Sequence, residues 1–119
     1  MMKATPTVVV VGYCASGKST IVEALRELEY RAEAVAQEHS IIGNLWNHHQ
    51  PDFVIFLDVT LDEIRARRGN PRWPEWIFEL QTKRLVKARE RADLVVDTTL
   101  GDAGAVARRV VDFLQVNQR

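Results

Sequence analysis

Gly12-Tyr13-Cys14-Ala15-Ser16-Gly17-Lys18-Ser19-Thr20 is a complete G-x-x-x-x-G-K-S with a threonine behind it. No other stretch limits the fold of this chain as tightly. The pattern is a phosphate-binding P-loop, and it works only between a strand and a helix. The loop must turn the chain back while aiming successive backbone N–H groups at an anion. Thr7-Val8-Val9-Val10-Val11 supplies the strand, apolar on both faces as a buried parallel strand is. Ile21, Val22, Leu25 and Leu28 then form an apolar helical stripe, with Glu23, Arg26, Glu27 and Glu29 on the other face. In such a loop Lys18 reaches the β- and γ-phosphates of a nucleotide and the Ser19 hydroxyl ligates Mg²⁺, with Thr20 as neighbour. The amides from Tyr13 through Cys14, Ala15, Ser16 and Gly17 to Ser19 form the cradle. A bare Gly-rich turn is the competing reading, but it needs neither the lysine nor the hydroxyl. A lysine at a helix N-terminus also opposes the helix dipole unless an anion is bound.

The 119 residues suffice for one domain, 1–119, with one modest core. Sixteen basic and sixteen acidic residues cancel, so no global field points to nucleic acid or to an anionic membrane. Attraction for phosphate must be local. The single cysteine excludes an internal disulfide and suits a reducing cytoplasm, the expected location. Between Pro6 and Gly12 lie only Thr7 and four valines, too short a run for a signal peptide or a membrane span.

Strands and helices alternate along the chain. Strands are expected over 7–11, 32–36, 52–58 and 92–97. Helices are expected over 17–28, 40–46, 60–69, 74–91 and 102–116. Thr60 is a natural N-cap with Glu63 three residues on, a capping box. His48-His49-Gln50-Pro51 and Asn70-Pro71-Arg72-Trp73-Pro74 are loops. The alternation predicts an α/β fold of about four parallel strands with helices on both faces.

Three blocks together resemble the nucleoside-monophosphate-kinase-like branch of P-loop kinases, which includes thymidylate, adenylate, shikimate and dephospho-coenzyme-A kinases. They are the P-loop, the run from Pro51 through Leu57-Asp58 to Arg68, and Arg91-Ala92-Asp93-Leu94-Val95-Val96-Asp97-Thr98-Thr99. The resemblance implies a three-layer P-loop NTPase fold. It implies ATP and Mg²⁺ as cofactors, phosphoryl transfer to a small acceptor such as a nucleotide or nucleoside, and a short lid around 65–76. The loop after the last strand, Thr99-Leu100, would pack on the adenine. The chain departs from that family in three ways. Most of the acceptor-binding segment between the first two strands is missing, the lid is short, and Gln37-Glu38-His39-Ser40 stands where many members carry an acidic-Arg dipeptide. These departures motivate the alternative of a regulatory ATP-binding module without turnover. A GTPase is excluded, because neither Asn-Lys-x-Asp nor a switch Asp-x-x-Gly after a strand occurs.

Phosphoryl transfer asks the protein to hold the γ-phosphate, neutralise its charge and orient the acceptor. Lys18 is the fixed cation. Two carboxylates compete to face Mg²⁺ alongside Ser19. Glu38 follows the short strand expected beside the first one and could also act as a base. Asp58 ends an apolar strand, where a cap role is the simpler reading. Arg65, Arg67, Arg68 and Arg72 cluster near the Pro-bounded loop, and guanidinium forks match phosphate oxygens. Arg68 and Arg72 are the first choices among them, and Arg84 is a weaker candidate. His39, His48 and His49 lack metal-ligand spacing, although His39 could contact an acceptor. Trp73, Trp76, Ile77 and Leu80 form a stripe suited to a core or a homodimer face. Cys14 fits the turn as a small residue.

Overall fold

β1 (Thr7–Gly12) runs into the loop and α1 (Lys18–Glu27), and β2 (Arg31–Ala34) follows after three residues. An irregular stretch with 3-10 turns at Gln37–His39 and Leu45–His49 leads to β3 (Phe53–Asp58). α2 (Leu61–Arg68), α3 (Glu75–Arg91), β4 (Leu94–Asp97) and α4 (Ala103–Asn117) complete the chain. This computed structural model describes residues 5–99 and 101–117.

The four strands form one parallel sheet in the order β2-β1-β3-β4. Side chains alternate across each strand, so the valines of β1 divide between two cores. Val8 and Val10 face Ile21, Val22 and Leu25 of α1 and Val106, Val110 and Leu114 of α4. Val9 and Val11 face Ile64 of α2, Leu85 and Ala88 of α3, and Trp73. This is the expected α/β arrangement of three layers. The continuous apolar runs of β1 and β3 are buried because helices cover both faces. The edge strands are more exposed: only Ala32 of β2 is buried, and β4 alternates buried and exposed residues.

Several local expectations are corrected. No α-helix forms over 40–46; a 3-10 turn begins only at Leu45 and runs through His48 and His49, where a loop is expected. The buried Gln37 side chain donates to the Ile42 carbonyl at 2.7 Å and accepts from the Trp46 N–H at 3.0 Å. One amide thus ties both ends of an arch that a helix would have closed with its own backbone. β2 ends two residues early, although the Val35 N–H still donates to the Val10 carbonyl. β4 begins at Leu94 because the Asp93 carboxylate accepts from the Val54 N–H, where a strand would present a carbonyl. Thr60 does cap α2, accepting from the Glu63 N–H at 3.2 Å. The reciprocal half of the capping box is absent: Glu63 pairs with Arg67, and the Thr60 N–H donates to Thr99 Oγ1. Among the described residues, no helix is long and apolar enough to cross a membrane.

Candidate functional site

β1 enters the loop through Gly12, at φ 155°, where a Cβ would overlap the Leu57 carbonyl oxygen of the neighbouring β3. Only glycine fits that approach. The loop then passes through two left-handed residues, Ala15 (φ 59°) and Gly17 (φ 96°). This sequence of turns makes a concave nest of amides. The N–H groups of Lys18 and Ser19 begin α1 and have no intrahelical acceptor. At Gly17 a Cβ would meet nothing within 4 Å, so the loop is uncovered at that point.

Lys18 folds over this nest. Its Nζ donates to the Gly12 carbonyl at 3.1 Å, the Tyr13 carbonyl at 2.9 Å and Glu38 Oε2 at 2.5 Å. Glu38 is 3% exposed, and its other oxygen, Oε1, is buried without a hydrogen-bond partner. A buried carboxylate oxygen left bare is costly. It suits a cation or a hydroxyl arriving with a ligand. The Ser19 hydroxyl and this oxygen are hard donors of the kind Mg²⁺ takes, so the residues fit that ion. His39 Nε2 lies 3.8 Å from Glu38 Oε2, and Arg84 Nη1 donates to the Glu38 carbonyl at 3.5 Å.

On the opposite side of the loop, Arg67 makes the closest set of contacts. It donates to the Ala15 carbonyl at 2.9 Å, to the Thr98 carbonyl at 2.7 Å and to Thr98 Oγ1 at 3.3 Å. Its Nε pairs with Glu63. Arg67 borders a cavity of about 310 Å³ with Ser16, Gly17, Thr20, Glu63, Thr98 and Val106. It also borders the open mouth shared by Gly17, Lys18, Ser19 and Ala34. Thr98, not Thr99, lines that cavity; the Thr99 N–H donates to Asp97 Oδ1, and that bond and the Thr99 hydroxyl hold the Asp97 carboxyl below its usual range. Leu100 lies outside the described residues.

The structure thus brings Glu38 to the loop lysine and leaves Asp58 elsewhere. Asp58 caps its strand end, accepting from the Val59 N–H and pairing with Arg89. Arg68 lies over the buried Trp73 at 5.5 Å, and Arg65 donates to the Trp73 carbonyl. Arg72 is exposed on the turn between α2 and α3, its N–H bonded to Asn70. Neither Arg68 nor Arg72 borders the nest; Arg67 does. A signal for Arg67 was present in the sequence: Thr60, Glu63 and Arg67 share one helix face, and the β3–β4 pairing places Thr98 beside that face. Of the aromatic stripe, Trp73 is buried and Trp76 is 63% exposed. No cluster of three metal-ligating side chains occurs among the described residues. Cys14 is buried and free. Burial pushes the Tyr13 hydroxyl above its ordinary pKa.

No known family's sequence profile matches this chain, and no curated protein sequence matches it. Among solved structures the chain is similar to shikimate kinase from Acinetobacter baumannii in complex with shikimate. The likeness has 16% identity and a TM-score of 0.62, and covers 97% of this chain and 96% of that one. At this identity the likeness concerns the fold. The chain shares that structure's three-layer parallel α/β fold, the fold its three sequence blocks lead one to expect.

Proposed function

We propose that the chain is an ATP-dependent phosphotransferase acting on a small, hydroxyl-bearing anion. The observation that carries this reading is the Lys18–Glu38 pair over an open nest of amides, with one buried carboxylate oxygen unpartnered. A cation or hydroxyl arriving with a ligand would relieve the cost of that bare oxygen.

The tasks divide among the chain's own residues. The loop amides and Lys18 bind the phosphates and offset the charge that develops on them. Ser19 and Glu38 would hold Mg²⁺, which supplies further charge neutralisation on the transferred group. The 310 Å³ cavity behind Arg67, lined also by Thr98, takes the nucleoside. Arg84 and His39 flank Glu38 and offer positive or polar contacts to an acceptor's anionic group. The structural neighbour holds shikimate, a hydroxylated carboxylate of that kind. The segment around 65–76 serves as the lid in this reading. Its movement would be needed to bring Arg72 to the phosphates.

The second reading, a nucleotide-binding module without turnover, is favoured by one observation. Residues 28–30 alone join α1 to β2, and the arch after β2 holds only two 3-10 turns. Little among the described residues covers an acceptor. The separating experiment offers MgATP with a panel of small hydroxy acids, nucleosides and nucleotides. Acceptor-dependent ADP release is expected. Tight ATP binding with no turnover on any acceptor would instead establish the module.

A further inference from the structure

α3 packs a buried polar residue against the loop where an aliphatic one would be expected. Gln81 is 2% exposed and shares the inward stripe of α3 with Leu85 and Ala88. Its Oε1 accepts the Cys14 N–H at 3.1 Å. Neighbouring residues of α3 hold the same stretch: the Tyr13 ring stacks on Phe78 at 4.6 Å, and the Tyr13 hydroxyl bonds Thr82 at 2.7 Å. The Cys14 N–H belongs to the same rigid peptide unit as the Tyr13 carbonyl, which receives Lys18 Nζ at 2.9 Å. The Ser16 N–H also donates to that carbonyl.

We infer that Gln81 is a positioning residue. It fixes the plane of the Tyr13–Cys14 peptide and thereby sets where the loop lysine and the phosphate-binding amides point. The functional consequence rests on the phosphotransferase reading; the geometric one does not. Without an acceptor at position 81, the Cys14 N–H is buried and unpaired, a costly state that rotation of the peptide relieves. That rotation moves the Tyr13 carbonyl away from Lys18 and Ser16 together.

Gln81→Met removes the acceptor and keeps the volume, whereas Gln81→Glu keeps an acceptor. Amide hydrogen exchange of the nucleotide-free protein and MgATP titration are measured on both. In Q81M the Cys14 amide is expected to exchange at least about tenfold faster, and MgATP affinity to fall about tenfold. In Q81E the Cys14 amide is expected to keep wild-type protection. Wild-type exchange in Q81M, or MgATP affinity within twofold of wild type, overturns the inference. Should Q81M not fold, Q81E decides alone: an unprotected Cys14 amide in a folded Q81E overturns it as well. If wild-type protein binds no MgATP, the phosphotransferase reading falls, and the exchange measurement still decides whether Gln81 fixes the peptide.

Discussion

The two sides of the phosphate loop are built differently. On the side proposed for the nucleoside, Arg67 binds two main-chain carbonyls, those of Ala15 within the loop and of Thr98 just past β4. On the acceptor side, the arch of residues 37–50 contains no regular helix or strand. It hangs from one buried amide, Gln37, and meets the loop through one ion pair, Lys18–Glu38. On the proposed reading, backbone geometry would place the triphosphate, while a few side chains would place whatever receives it. A fold can keep the first and vary the second at small cost, which is how one scaffold serves different acceptors.

The contrast can be broken most severely at its shared origin. Gly12→Ala combines a left-handed φ with overlap on the Leu57 carbonyl. It is expected to cost at least about 3 kcal/mol of stability, read by urea denaturation. A cost under about 1 kcal/mol would show that the β1 exit is not held as described. On the acceptor side, Gln37→Leu strands the Trp46 N–H and the Ile42 carbonyl. The expected loss is about 2 kcal/mol, with faster proteolysis inside 40–50 and MgATP affinity changed by less than about threefold. A large affinity loss would mean that the two sides are not separable. On the nucleoside side, Arg67→Ala is expected to weaken MgATP about tenfold, the size of one charge-assisted hydrogen bond. Calorimetry checks it, and an unchanged affinity would move the nucleoside away from this cavity. The smallest effect concerns Tyr13. Its hydroxyl pKa is raised by burial, so the folded state holds the proton more tightly than the unfolded chain. The stabilisation is fully present below about pH 10 and is lost as pH rises through the folded value. Denaturation midpoints followed from pH 8 upward should fall at the alkaline end, and less so in Tyr13→Phe.

The sequence made the nucleoside side more legible than the acceptor side, for the same physical reason. The P-loop, the two continuously apolar central strands and the Thr60 cap are local patterns whose chemistry is fixed by spacing. Glu38 could be named because the strand before it had to lie beside β1. The arch could not be read, because its shape depends on a single long-range use of Gln37, which a sequence shows only as one more polar residue. Arg67 does not stand out from Arg65, Arg68 and Arg72, because four arginines within eight residues look alike until the sheet order places Thr98 next to one of them. Gln81 gave no sign at all, since a glutamine inside a charged helix reads as solvent-facing.

The central claim is that the Lys18–Glu38 pair sits over a working anion nest. Titrating MgATP into wild-type protein and Lys18→Ala at matched salt tests it most directly. The account gives saturable binding for wild type and a loss of at least about tenfold for the variant. No binding by wild type, or equal binding by both, would contradict it.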